Sequence, residues 1–250
     1  MTTALRAAFA RPHRGLVEIA TLTALYGLYE VIRGFGDASL AVARAHTDDV
    51  VALERGLHVF GERAVQEWAE RVPALPGLLG GAYMALHLGG TAAALVWVHR
   101  AHRERFPLVR TTLVAATAIS LVVYVLYPVA PPRLAGLGFA DTVTQSAHVN
   151  LSSDLLGSLY NPFAAVPSLH FGYALLVGAA LAAFARSPWL RVAGAAYPAL
   201  MLFVIVATGN HFLFDAAAGG AVVVAGWAIA RLVVEPPRER PVRHTRLLAT

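Results

Sequence analysis

The chain has 250 residues, 57% of them hydrophobic and 14% charged, far below the roughly 25% charge of an average soluble domain. It has no cysteine, which excludes disulfides and thiolate metal sites, and all 20 of its basic residues are arginine. The net charge of +5 falls in short segments between apolar runs, a pattern of membrane topology and anionic headgroups rather than of nucleic-acid binding.

Arg6, Arg11 and Arg14 precede the first apolar stretch, as in a signal peptide, and Ala41-Val42-Ala43 looks like a cleavage site. That tripeptide lies beyond Glu30, Arg33 and Asp37, too far from the apolar stretch, so an uncleaved first span is expected. Six spans are expected, at 16–33, 78–99, 111–128, 168–185, 192–209 and 211–234, each near the 17 to 23 or so residues that a bilayer demands. Between the first two, Val50, Leu53, Leu57, Phe60, Ala64 and Trp68 recur every three or four residues and Pro73 ends the pattern. This predicts an amphipathic helix over 47–72, either a connector or a route for lipid access. After Glu235-Pro236-Pro237 the tail is rich in proline and arginine, the composition of a disordered segment.

The expected fold is therefore all-α: a polytopic six-transmembrane-helix bundle with an external amphipathic helix. It forms one membrane domain over 1–250, with an N-terminus at 1–15, a core at 16–234 and a tail at 235–250. Arginines at the start, at Arg100, Arg103, Arg105 and Arg110, at Arg186 and Arg191, and in the tail all fall on one face when six spans alternate. That face is expected to be cytoplasmic, with both termini inside. Heavy alanine and the absence of lysine suit the inner membrane of a bacterium. The opposite, outer face receives 36–76, with seven acids against four arginines, and the long loop 129–167.

Three motifs reach that outer face. Tyr127-Pro128-Val129-Ala130-Pro131-Pro132-Arg133 follows the third span, Pro167-Ser168-Leu169-His170 opens the fourth, and Gly209-Asn210-His211-Phe212-Leu213-Phe214-Asp215 opens the sixth. His211 and Asp215 are four apart, so they share a helical face. A carboxylate there fixes the tautomer of the ring and frees the other nitrogen to attack. Pro167 and Ser168 mark a helix start, where N–H groups and the dipole suit an anion, and the sixth span starts beside Asn210 and His211. Two helix starts are thus expected at one phosphate. His170 is placed to act as a general acid, and Arg133, aimed by two prolines, to grip phosphate oxygens.

These motifs resemble the type-2 phosphatidic acid phosphatase superfamily, most of all its inositol phosphorylceramide synthase-like branch, over about 16–234. The resemblance implies a lipid phosphatase or phosphotransferase in which His211 forms a phosphohistidine, Asp215 orients it and His170 protonates the leaving group. Arg133, Ser168 and Asn210 would hold the phosphate, and no cofactor and no metal is implied. The partners expected are a membrane lipid substrate and the bilayer, not nucleic acid; the sequence does not define an oligomeric state. The phosphatase branch has a lysine seven residues before the first-motif arginine and an arginine six before the nucleophile. Here those positions hold Leu126 and Ile205, and Leu169 replaces the usual glycine of the second motif. These departures favour transfer of a phospho-headgroup, inositol phosphate-like, to an acceptor alcohol.

The alternatives are a lipid phosphate or polyprenyl diphosphate phosphatase, a vanadate haloperoxidase, and an anionic-lipid transporter or binding protein. Tyr127, Glu30 and Arg33 are accessory candidates; the last two are equally read as a local ion pair. His87 and Tyr83, one turn apart in the second span, suit span-to-span hydrogen bonding. His99 and His102 read as solvated. Asp141 and Asn161 have no role assignable from sequence, and the sequon at Asn150 carries little weight.

Overall fold

The computed structural model of the protein describes residues 39–146 and 162–234, with Ala20, Thr23 and Gly27 as further helical positions. The expected first span with Glu30 and Arg33, the loop residues Asn150 and Asn161, and the tail from 235 lie outside the described residues. The described residues hold no strand, and one isolated parallel bridge joins Val129 to Ala164. Helix α1 spans Leu40–Gly56, α2 Glu62–Glu70, α3 Leu75–Ala101, α4 Phe106–Leu126, α5 Thr142–Ser146, α6 Leu169–Phe184, α7 Pro188–Ala207 and α8 Leu213–Val234.

Among the described residues four helices are long and apolar enough to cross a membrane: α3 with 27 residues, α4 with 21, α7 with 20 and α8 with 22. They make this a membrane protein. Helix α6 is apolar throughout but has 16 residues. At about 1.5 Å per residue it is about 24 Å long, short of a hydrocarbon core about 30 Å thick. The described chain thus supports four spans of the six expected, with α6 a shorter apolar helix packed among them. Helix α6 lies against α7 and α8, and α8 against α4. Close approach depends on small residues: a Cβ on Gly219 of α8 would collide with the backbone of Ser168 at the start of α6.

The amphipathic helix expected over 47–72 is two helices. Helix α1 ends at Gly56, and His58 adopts the left-handed conformation with φ 60°. The Val59 N–H returns to the Glu54 carbonyl at 2.9 Å and the His58 N–H to Arg55 at 3.1 Å, a Schellman-type stop that reverses the chain into α2. The apolar set is divided: Val50 is buried, whereas Leu53, Leu57, Ala64 and Trp68 are exposed. The inward side of α1 and α2 also carries the buried polar residues Thr47, Glu54, Glu62 and Gln66.

The C-terminal end of α4, the start of α6, the end of α7 and the start of α8 meet at one end of the bundle, with α1 packed there against α8 and α2 against α7. Two loops are tied together at that end. The Val129 N–H donates to Phe163 at 2.9 Å and the Ala165 N–H to Val129 at 3.3 Å. The Arg133 loop is thereby drawn beside the loop that leads to His170.

Candidate active site

The turn between α7 and α8 holds the third motif. Gly209 has φ 66°, and a Cβ there would lie 2.7 Å from Gln66 Nε2, so the tight packing of α2 on this turn requires glycine. The N–H groups of Asn210 and His211 both donate to the carbonyl of Ile205, at 3.0 and 3.2 Å. Ile205 itself is fully buried, so the position that is arginine in the phosphatase branch is here part of the apolar core. Leu126, at the lysine position, is 75% exposed on the outer surface of α4. Neither residue brings a cation to the turn.

His211 Nδ1 lies 3.1 Å from Asp215 Oδ2 and 3.1 Å from the Ala165 carbonyl oxygen. A carbonyl can only accept, so Nδ1 carries the proton and Nε2 keeps its lone pair. Asp215 is fully buried and also accepts the Phe212 N–H at 2.9 Å. His170 is the second residue of α6. Ser168 caps that helix, its hydroxyl accepting the Phe171 N–H at 3.4 Å, and its own N–H donates to the Asp215 carbonyl at 2.9 Å. Tyr124 steadies the approach to this cap by donating to the Pro167 carbonyl at 2.7 Å. The rings of His170 and His211 are 5.4 Å apart, centre to centre, close enough to address one phosphorus atom from two sides.

Both histidines and Asn210 line a cavity of about 100 Å³, together with Tyr83, His87, Tyr124 and Leu169. The start of α6 faces it. The start of α8 does not serve as a second anion cradle, contrary to expectation. Its leading N–H groups are already taken by three carboxylates: Phe212 by Asp215, Leu213 by Glu62 at 2.9 Å, and Phe214 by Glu54 at 2.6 Å. Glu54 and Glu62 come from α1 and α2 and are 2% and 1% exposed, so two distant helices hold the base of the helix that carries Asp215.

The other sequence candidates fall around this centre. Arg133 is not part of the cavity wall. Its side chain is 3% exposed, its Nε donates to Asn210 Oδ1 at 3.0 Å, and Asp141 Oδ1 lies 3.9 Å away. Arg133 thus contacts Asn210, a residue of the wall, whose amide also donates to the Thr208 hydroxyl at 2.9 Å. Ser168 is a helix cap outside the cavity lining. Tyr127 stacks on His46 at 4.0 Å and donates to Asp49 at 3.0 Å, joining α1 to the end of α4 away from the cavity. Asp141, unassigned from sequence, caps α5 through Thr144. His99 and His102 pack edge-on against Phe106 and Trp97. His87 forms no span-to-span hydrogen bond: it stacks on His170. Sequence reasoning missed Glu54, Glu62 and Tyr124, whose partners lie far along the chain.

A pair of histidines at one phosphate-sized cavity, one backed by a buried carboxylate, defines a class of phosphoryl-transfer sites. The family model for the PAP2 superfamily matches residues 48–229, and the chain belongs to that superfamily. Its members are typically phosphatases, and membership makes this a phosphatase or phosphotransferase acting on lipid phosphates. No curated protein matches the chain, and no solved structure does.

Proposed function

We propose that the protein cleaves a phosphate ester of a membrane lipid through a covalent intermediate on His211 and passes the phospho-group to an acceptor alcohol. The observation that carries this reading is the double tether on His211 Nδ1, from Asp215 and the Ala165 carbonyl, beside His170 in one cavity. In the first step the His211 Nε2 lone pair forms a bond to phosphorus, the bond to the leaving oxygen breaks, and His170 gives that oxygen its proton. Asp215 stabilises the positive charge on His211. In the second step an acceptor hydroxyl bonds to phosphorus, its proton passes to His170, and the phosphorus–nitrogen bond breaks. Electrophilic help comes from the start of α6 and from Arg133 acting through Asn210, so the chemistry runs without a metal.

The donor is a phosphodiester lipid such as phosphatidylinositol, in the manner of the inositol phosphorylceramide synthase-like branch. A phosphomonoester carries nearly two negative charges near neutral pH and needs several cations, whereas a diester carries one. Buried Ile205 and outward-facing Leu126 supply none. The site lies at the outer face of a bacterial inner membrane, opposite the arginine-rich turns. The alternative is a lipid phosphate or polyprenyl diphosphate phosphatase, favoured by the family at large.

The test is rapid acid-free quenching of purified protein with phosphorus-labelled phosphatidylinositol and phosphatidate, with and without an acceptor alcohol and with and without EDTA. Wild type should hold label covalently, His211→Ala should hold none, and EDTA should change neither. Turnover by His211→Ala ends the phosphohistidine reading. Preference for phosphatidate, with free phosphate released whatever the acceptor, moves the protein to the phosphatase class. Binding with no covalent label in wild type points to a carrier or binding protein.

A further inference from the structure

His211 and His170 line the same cavity but are held in different ways. The His211 ring is tethered by hydrogen-bond partners on Nδ1. Among the described residues the His170 ring makes no hydrogen bond and is held by other rings. Tyr83 of α3 stacks on it with centroids 4.2 Å apart and planes at 21°. His87, also of α3, stacks on it at 3.9 Å and 29°. Two rings this close and this nearly parallel to a third would overlap each other if they shared one of its faces. They therefore take opposite faces, and His170 is a ring of α6 inserted in a slot between two rings of α3.

The slot is braced from outside. Ala85–Gly90 of α3 is a π-helical segment, so the backbone changes form between Tyr83 and His87. Such segments are rare and recur at functional sites. Tyr197 of α7 holds this one, its hydroxyl donating to the Leu86 carbonyl at 2.8 Å. The His87 ring also lies parallel to Tyr173 of α6, at 5.4 Å and 7°, and the Tyr173 hydroxyl shares a hydrogen bond of 2.6 Å with Thr117 of α4. Residues of α3, α4 and α7 thus all bear on the placement of one ring of α6.

A histidine ring turns about two side-chain bonds, and a hydrogen bond to one nitrogen is a common way to fix it. Where that bond is missing, the faces must do the work. Stacking grips the faces of a ring, and closing both of them stops the ring from turning out of its plane. Proton transfer is sensitive to such placement, since an error of about 1 Å at a reacting group can cost about 10²-fold in rate. We propose that Tyr83 and His87 are positioning residues for the proton-transfer step, clamping His170 face to face so that its edge meets the leaving and accepting oxygens. This role rests on the reading of His170 as the leaving-group acid.

Leaving-group dependence tests the clamp and that reading separately. Full-length protein in detergent is assayed on an alkyl and a nitrophenyl phosphodiester, for wild type, Tyr83→Leu, His87→Leu, Tyr83→Phe, His87→Phe and His170→Ala. Only the alkyl ester needs a proton on its leaving oxygen. Each Leu variant opens one side of the slot, and its loss of kcat on the alkyl ester should exceed its loss on the nitrophenyl ester by about tenfold or more. Each Phe variant keeps a flat ring and should recover most of that difference. Partial unfolding lowers both rates alike, so it does not imitate the effect. Equal losses on the two esters in the Leu variants, or Phe variants no better than Leu, overturn the clamp while His170→Ala still shows the ester difference. Equal losses in His170→Ala overturn the acid reading, and the clamp falls with it. Covalent label on His211 is independent of all these outcomes.

Discussion

In the proposed reaction His170 and His211 divide the work between them, and the division can be measured one residue at a time. His211 is fixed in the attacking tautomer by two acceptors on Nδ1, whereas His170 is held by stacked rings at the head of α6. His170→Ala should therefore lower kcat/KM by about 10²- to 10⁴-fold on an alkyl ester, the usual cost of a lost acid–base catalyst. On a nitrophenyl ester, whose leaving group needs no proton, the loss should be small. Equal losses on both esters would show that His170 does not protonate the leaving group. The histidines and Asp215 were legible in the sequence because their relations are local: a spacing of four on one turn and a Pro-Ser helix start. His87, Glu54 and Glu62 were not, because each acts on residues far along the chain. The Phe214 N–H reaches Glu54 across 160 positions and the Leu213 N–H reaches Glu62 across 151. The sequence singled out Arg133 as a phosphate ligand, but its attachment to Asn210 follows from the turn at Gly209, which no pattern announces.

Among the elements, α1 and α2 invert the usual reading of an amphipathic pattern. Their spacing revealed helix, read as a connector or a route for lipid access, without saying which face would pack. In a membrane protein an apolar stripe can face lipid, and the buried side is then the polar one that serves the site. Glu54 and Glu62 satisfy N–H groups at the start of α8 that would otherwise be orphaned. Glu62→Ala should cost about 1–3 kcal/mol, as expected when a buried donor loses its partner, and Glu62→Gln, which keeps an acceptor oxygen, should cost less. Glu54 adds a pH dependence. Burial and the neighbouring Glu62, with Asp215 also nearby, push its carboxyl up from 4.5 to about 8. Protonated, its otherwise unpartnered oxygen can donate to Glu62. A carboxyl raised on folding stabilises the fold fully below its unfolded pKa, and that stabilisation is lost as pH rises through the folded one. Thermal stability should therefore fall between about pH 5 and pH 8.5, and Glu54→Gln should flatten the slope. An equal slope in wild type and variant would show that Glu54 is ionised throughout.

For the whole molecule, helix order alone gathers the chemistry at one end of the bundle. Three motifs sit after α4, before α6 and between α7 and α8, and antiparallel packing brings those points together whatever the exact span count. That gathering was legible from sequence. The described residues support four of the six spans expected: α6, with 16 residues, is shorter than a span although it runs from the site end to the opposite end, and the expected first span lies outside the described residues. The arginine-rich turn between α3 and α4 lies at the opposite end, as does the turn between α6 and α7. Charge bias favours the cytoplasm for arginine-rich turns, and the outer-face position proposed for the cavity rests on that bias. The absence of cysteine makes this directly testable. Ala64 on α2 and Ala101 at the end of α3 are both exposed and at opposite ends of the bundle, so neither substitution by cysteine should disturb packing. In intact cells Ala64→Cys should react with a membrane-impermeant thiol reagent and Ala101→Cys should react only after the membrane is permeabilised. The reverse pattern would put the cavity on the cytoplasmic side, and its donor and acceptor would then have to be lipids and alcohols of the inner leaflet. Reaction of both in intact cells would mean that the two ends share one side, which the alternating bundle forbids.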